Sequence, residues 1–186
     1  MIPEWYARFE AWVSTHRIVA TLPVAVLLLT LARPNVWSLC VGGSVVLLGE
    51  AGRMWASGYI DKNMELATAG PYRYTRNPLY VANLLLLIGF CIMAANPYVA
   101  LLALLAFAMI YRPVLINEAK HMQELFGEDY RRWAEYVPMF FPRFPGYQGK
   151  PRAFSWALMI RHREHKNALA FIAGIAIFVG IYLWRG

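Results

Sequence analysis

The chain has 186 residues, 59% of them hydrophobic and 16% charged, against about 25% charged in soluble domains; with a mean hydropathy of +0.40 this excludes an ordinary water-soluble domain. A formal net charge of +7 would suit nucleic acid, but all of the 18 Lys and Arg except Arg33 and Arg185 fall on one side of the apolar runs, so the surplus is topological. The two cysteines, Cys40 and Cys91, both lie inside apolar runs, which excludes a disulfide framework or a zinc motif.

Residues 1–17 mix Trp5, Tyr6, Phe9 and Trp12 with Glu4, Arg8, Glu10 and Arg17 and show no cleavage site after a short apolar core. They predict an interfacial amphipathic helix rather than a cleaved signal. Five apolar runs follow, at 18–31, 36–56, 79–95, 98–116 and 168–184, each near the roughly 20 residues that cross hydrocarbon as a helix. None alternates as a membrane barrel strand would. The predicted class is all-α, a polytopic membrane protein of about five transmembrane helices in a single domain: interfacial helix 1–17, four spans within 18–116, a cytoplasmic segment 117–166 and a last span within 167–185. The basic residues place the N-terminus, the 58–78 loop and the 113–167 segment in the cytoplasm and the C-terminus outside, in a bacterial or archaeal inner membrane.

Span 1 carries Pro23 and stops at Arg33-Pro34-Asn35, a turn so short that spans 1 and 2 are expected to form an antiparallel hairpin. Span 2 is rich in small residues that let helices approach closely in lipid, and it carries Glu50 and Arg53 one turn apart. These read either as an ion pair reaching for the interface or as groups facing a ligand cavity. The loop after span 2 contains G-P-Y-R-Y-T-R-N-P-L-Y at 70–80, too many rigid and polar groups for a plain membrane turn. Ala94-Ala95-Asn96-Pro97 joins spans 3 and 4 in a tight hairpin, and Pro113 kinks span 4 or begins a new helix. Residues 117–133 read as an amphipathic helix interrupted near Gly127. The segment 137–146, with three prolines among aromatics, reads as ordered and extended, and 154–166 turns from apolar to densely charged on its way into span 5.

No G-x-G-x-x-G, Walker A, G-x-S-x-G or H-E-x-x-H is present. His162 and His165 share a spacing but lack the carboxylates or thiols of a metal site, and none is expected. A cytoplasmic layer of Arg, Tyr, Asn, Glu and Pro over a small-residue bundle suits a charged cofactor beside a lipophilic substrate.

The pairing of G-P-Y-R-Y-T-R-N-P-L-Y with N-E-A-K-H-M-Q-E-L-F-G-E-D-Y-R-R-W-A-E-Y-V-P-M-F-F-P at 117–142 resembles the integral-membrane methyltransferases of the isoprenylcysteine carboxyl methyltransferase and phospholipid methyltransferase superfamily. Their pattern is G-P-Y-x-x-x-R-H-P-x-Y, then E-E, then F-G-x-x-Y-x-x-Y-x-x-x-V-P. The resemblance implies S-adenosylmethionine (SAM) as methyl donor, held in a cytoplasmic cofactor-binding layer by Gly70, Pro71, Tyr72, Arg76, Asn77, Pro78, Tyr80 and Glu118. Tyrosine rings suit adenine or the sulfonium, and Arg73 or Arg76 suits the methionyl carboxylate. Three positions depart from the pattern: Asn77 stands for histidine, Ala119 for the second acidic residue and Trp133 for the second tyrosine of Y-x-x-Y. Arg163 and Glu164 are expected to complete the site, with Glu164, Glu118 or Glu50 as candidate bases for an ammonium acceptor. The implied partners are the bilayer and a lipophilic or lipid substrate, whether an isoprenylcysteine-like carboxylate, a phospholipid amine or a small thiol, and no nucleic acid. Other readings are a non-catalytic membrane protein of the same fold that binds lipid or a protein, and a small-molecule transporter.

Overall fold

A few capping residues set where the helices begin and end. The Asn35 side chain accepts from the Ser38 N–H while Ser38 Oγ accepts from the Asn35 N–H, a capping box that opens helix α2 (Val36–Ser57). Ala95, in the left-handed region, ends α3 (Pro78–Ala94), and the Asn96 side chain caps the first N–H groups of α4 (Pro97–Tyr136). Pro78 and Pro97 each occupy a first helical position, where a missing N–H has no cost.

The computed structural model describes residues 4–185, with side-chain surroundings for all of these but 4–11, 13–15, 17 and 18. Among the described residues the fold is all helical. Helices α1 (Glu4–Thr30), α5 (Trp156–Arg161) and α6 (Glu164–Arg185) complete the set, with one 3-10 turn at Gly70–Arg73 and no strand. The interfacial environment expected for residues 1–17 falls largely on positions whose surroundings lie outside the described residues; the backbone there is helical from Glu4, with a non-helical step at His16.

Helices α2 and α3 pack backbone to backbone. A Cβ on Gly42 would come 2.6 Å from the Gly89 carbonyl oxygen, and one on Gly49 would come 2.9 Å from the Leu86 nitrogen, so no larger residue fits this seam. Because α3 occupies that small-residue face, α1 packs mainly against α4, and the expected pairing of the first two helices is not formed. One end of the bundle is closed by polar ties. The Arg33 N–H donates to the Ala94 carbonyl at 2.8 Å, Asn96 Nδ2 to the Leu31 carbonyl at 3.0 Å, and the Arg185 guanidinium to the carbonyls of Ala32 and Thr30. Helix α4 runs unbroken through Pro113 and is interrupted at Gly127, where φ is 53°.

The outward faces are apolar: Leu47, Leu48, Leu101, Leu105 and Ile172 are all exposed, as in a bundle whose surroundings are themselves apolar. Two helices among the described residues are long and apolar enough to cross a membrane, α4 and α6; Val19–Thr30 and α3 are shorter apolar helices. Helix α2 is continuous, but its apolar run is broken by four glycines, Glu50 and Arg53.

The glycine seam makes a direct prediction. Gly89→Leu is expected to lower stability by about 1–3 kcal/mol, the usual cost of overpacking, in reversible unfolding from mixed micelles. Gly180→Leu, whose side chain would meet open space, is expected to leave the transition in place.

Candidate functional site

At the end of the bundle opposite the polar ties, the loop after α2 folds back as the 3-10 turn. Gly70 starts it with φ 56°, and a Cβ there would lie 2.6 Å from the Tyr59 ring, so both backbone and space demand glycine. The proline-rich segment then lies along residues 73–77 and laces them in place. The Arg76 N–H donates to the Pro138 carbonyl at 2.9 Å, Thr75 Oγ1 to that of Phe140 at 2.7 Å, and Asn77 Nδ2 to that of Met139 at 2.9 Å. In return the N–H groups of Arg143 and Tyr147 donate to the carbonyls of Tyr74 and Arg73. An extended, proline-broken segment has no internal partners for its carbonyls, and the loop supplies them. Asn77, the residue standing for histidine, is therefore a structural donor between the two blocks.

Behind this lacing lies a small cavity of about 70 Å³. Tyr72, Arg76, Asn77, Pro78, Tyr80 and Glu118, six of the residues singled out in the sequence, line it, together with Tyr130 and Trp133. Three buried donors on its wall have no protein partner: Tyr72 Oη, Arg76 Nε and Trp133 Nε1. Burial, followed by the nearby carboxylates of Glu118 and Glu164, pushes the Tyr72 phenol well above its ordinary range, so at any physiological pH it stays protonated and able to donate. Arg76 is held by a bond from Nη1 to Tyr130 Oη at 3.2 Å. Gly70, Pro71 and Arg73 do not line the cavity. They build the turn beneath it, and Arg73 Nε is committed to the Tyr147 carbonyl at 2.8 Å.

A second cavity, of about 750 Å³, shares Ile60, Lys62, Leu79, Tyr80 and Glu118 with the first and extends down the bundle between α1, α3, α4 and α6. Tyr80 Oη donates to Glu118 Oε2 at 2.8 Å across the shared boundary. The polar groups of the larger cavity gather near that boundary. Arg53 of α2 donates from Nε and Nη2 to the Glu164 carboxylate at 3.1–3.3 Å and from Nη1 to Asn83 Oδ1, and Asn167 Nδ2 adds a bond to Glu164 at 3.2 Å. Glu50 stays buried nearby, 3.8 Å from Arg53, with no hydrogen bond to either carboxylate oxygen. Both readings of Glu50 and Arg53 thus hold in part, because Arg53 stands within ion-pair distance of Glu50 and also faces the cavity.

The segment 154–166 leads into the last span through two separate helices. Helix α5 ends at Arg161, Arg163 adopts φ 58°, and α6 starts afresh at Glu164. This break puts Glu164 at the positive N-terminal end of a helix, facing inward. Arg163 is exposed and lines neither cavity, and Arg53 stands beside Glu164 instead. The sequence reading passed over Asn83, Asn167 and Trp133 as site residues; an asparagine inside the apolar run of α3 was the available signal for the first. Among the described residues no group of three or more His, Cys, Asp or Glu is arranged to hold a metal ion.

The sequence profile of the phospholipid methyltransferase family matches residues 21–129. A cobalt-zinc-cadmium resistance protein, CzcN of Cupriavidus metallidurans, is 36% identical over 145 residues, covering 74% of this chain and 67% of that protein. A nickel-cobalt-cadmium resistance protein, NccN of Alcaligenes xylosoxydans xylosoxydans, is 32% identical over 72% of this chain and 68% of its own length. The phosphatidylethanolamine N-methyltransferase of Paracoccidioides brasiliensis is 33% identical over 90 residues, which are 48% of this chain and 9% of that enzyme. No solved structure matches significantly.

The buried ion pair is testable by itself. Removing one partner leaves an uncompensated charge, so Glu164→Ala is expected to destabilise by about 3 kcal/mol. Arg53→Met combined with Glu164→Ala is expected to lose less than the sum of the singles, with a coupling of at least about 1 kcal/mol in a double-mutant cycle.

Proposed function

The chain belongs to the phospholipid methyltransferase family, and on that premise we propose that it is an integral-membrane methyltransferase that uses SAM to methylate a lipophilic acceptor. The observation that carries the reading is the set of three partnerless buried donors, Tyr72 Oη, Arg76 Nε and Trp133 Nε1, around a cavity that touches a larger apolar one across Tyr80 and Glu118.

When bound, SAM supplies a methyl group on a sulfonium, ready for in-line displacement. Arg76 suits its carboxylate and Glu118 its ammonium or ribose hydroxyls; the rings of Tyr72, Tyr130 and Trp133 suit adenine and the sulfonium charge. A cavity of about 70 Å³ is smaller than a ligand of this size needs, several hundred Å³. Seating it requires the wall formed by residues 60–67, or the Arg76–Tyr130 pair, to move outward. A surface recess of about 480 Å³ lies on the far side of Arg76 and Tyr130 and offers that room.

The acceptor's nucleophile must come within about 3 Å of the methyl carbon, which places its polar end at the Tyr80–Glu118 boundary. A carboxylate or thiolate needs no base. An ammonium must lose a proton, and Glu118 is the carboxylate at the boundary, since Glu164 is committed to Arg53 and Asn167. Glu164 and Arg53 orient the polar end of the acceptor from the opposite wall. On this reading the five apolar runs span the bilayer and the layer holding SAM is cytoplasmic, where SAM is available.

A second reading, a membrane accessory of a metal-resistance system that does not itself transfer methyl groups, is favoured by the names of the CzcN and NccN relatives. Titration calorimetry of the purified protein with SAM separates the two, since the accessory reading expects no heat.

For the methyltransferase, SAM affinity is expected to fall at least tenfold (about 1.4 kcal/mol) in folded Arg76→Ala and Glu118→Ala protein; unchanged affinity in both removes the site assignment. Incubation of a membrane lipid extract with isotope-labelled SAM, resolved by mass, is expected to label a lipophilic product. The Arg163→Ala/Glu164→Ala variant is expected to turn over at least tenfold more slowly, and normal turnover there removes Glu164 from the site.

A further inference from the structure

We propose that the closed end of the larger cavity is a chain-length gauge, admitting one aliphatic or prenyl chain of the acceptor and measuring it against Ala103, Phe90 and Phe178. The inference rests on the methyltransferase reading only for what the chain's bearer undergoes.

The cavity has one polar pole and one apolar floor. Asn167 and Phe178 both line it, 11 residues apart on α6, which is about 16 Å at the helical rise; Asn83 and Phe90, on α3, are about 10 Å apart. An extended alkyl chain advances about 1.25 Å per carbon, so roughly 8–13 carbons reach from pole to floor. The volume of about 750 Å³ lies within the roughly 300–1,000 Å³ of a pocket for one small-molecule ligand. That is room for one chain and a small headgroup, and a second chain of membrane length must stay in the bilayer.

The floor is shut. Ala103 is 1% exposed and packs in one cluster with Phe178, Met93, Ala94 and Val99. The Phe90 ring stacks on Phe178 with centroids 5.9 Å apart. It keeps its place because Gly174 opposite has no Cβ; one would lie 3.0 Å from Phe90 Cζ. Since the bilayer solvates methylenes as well as the cavity does, a longer chain gains nothing by entering. The floor therefore acts by rejection, as a cut-off in length.

The test uses the full chain in nanodiscs and single-chain lysophosphatidylethanolamines of roughly 6 to 18 carbons, with binding read by competition against a fluorescent alkyl probe, without SAM. Affinity, expressed per mole fraction in the bilayer, is expected to be flat and then to drop at least tenfold beyond a cut-off near 8–13 carbons. Ala103→Phe is expected to move the cut-off shorter by about three carbons, and Phe90→Ala to move it longer. Phe90→Ala removes bulk beside an existing cavity and serves as the folded control if Ala103→Phe misfolds. The same cut-off in Phe90→Ala and in wild type, or no cut-off at all, overturns the gauge even if labelled methyl transfer persists. A cut-off that shifts as described, with no methyl transferred at any length, upholds the gauge and removes the methyltransferase reading.

Discussion

The Arg53–Glu164 pair is the interaction on which the architecture of the larger cavity turns. A guanidinium inside an apolar bundle is costly unless it is paired and fully hydrogen-bonded, and Arg53 meets that demand only by reaching two helices at once, Asn83 on α3 and Glu164 at the head of α6. Helix α6 presents much of its length outward, so it depends on this pair for its position at the polar end and on the tie of Arg185 to α1 at the other. The reach is possible because α2 and α3 touch along glycines; with side chains there, Arg53 and Asn83 would be pushed apart.

The second constraint is the lacing of 73–77 by 138–147. It converts two loops into one wall, and it commits Thr75 Oγ1 and Asn77 Nδ2 to backbone carbonyls. Three buried donors on the wall of the small cavity are left without a protein partner, Tyr72 Oη, Arg76 Nε and Trp133 Nε1. Burial is what gives those donors their worth, since a ligand that satisfies them recovers a penalty the folded chain otherwise carries. On the proposed function the Tyr80–Glu118 bond then stands between a water-soluble donor and a lipophilic acceptor, so neither has to cross the other's solvent.

The all-α class, the turns at 33–35 and 94–97, the interruption at Gly127 and the extended proline segment were legible in the residues, because each follows from local chemistry: apolar run length, proline, asparagine caps and glycine. Five of the residues expected around the cofactor, between Tyr72 and Tyr80, line one small cavity, since the motif that names them is contiguous in the chain, and Glu118 joins them from the second block. The association of the two motif blocks was likewise readable as a pairing, though not as the set of backbone bonds that makes it.

What the residues did not contain was which distant groups meet. Glu50 and Arg53, one turn apart, look like partners, yet the stronger partner of Arg53 lies 111 positions away in the chain. Arg163 and Glu164 look like a unit, yet a left-handed step at Arg163 sends one outward while the other turns in. The sequence by itself determined where helices form and which segment is rigid, since these depend on neighbours along the chain. Only the tertiary structure decided the partner of Arg53, the placement of α1 against α4 and the depth of the apolar cavity, because these depend on how closely α2 and α3 can approach.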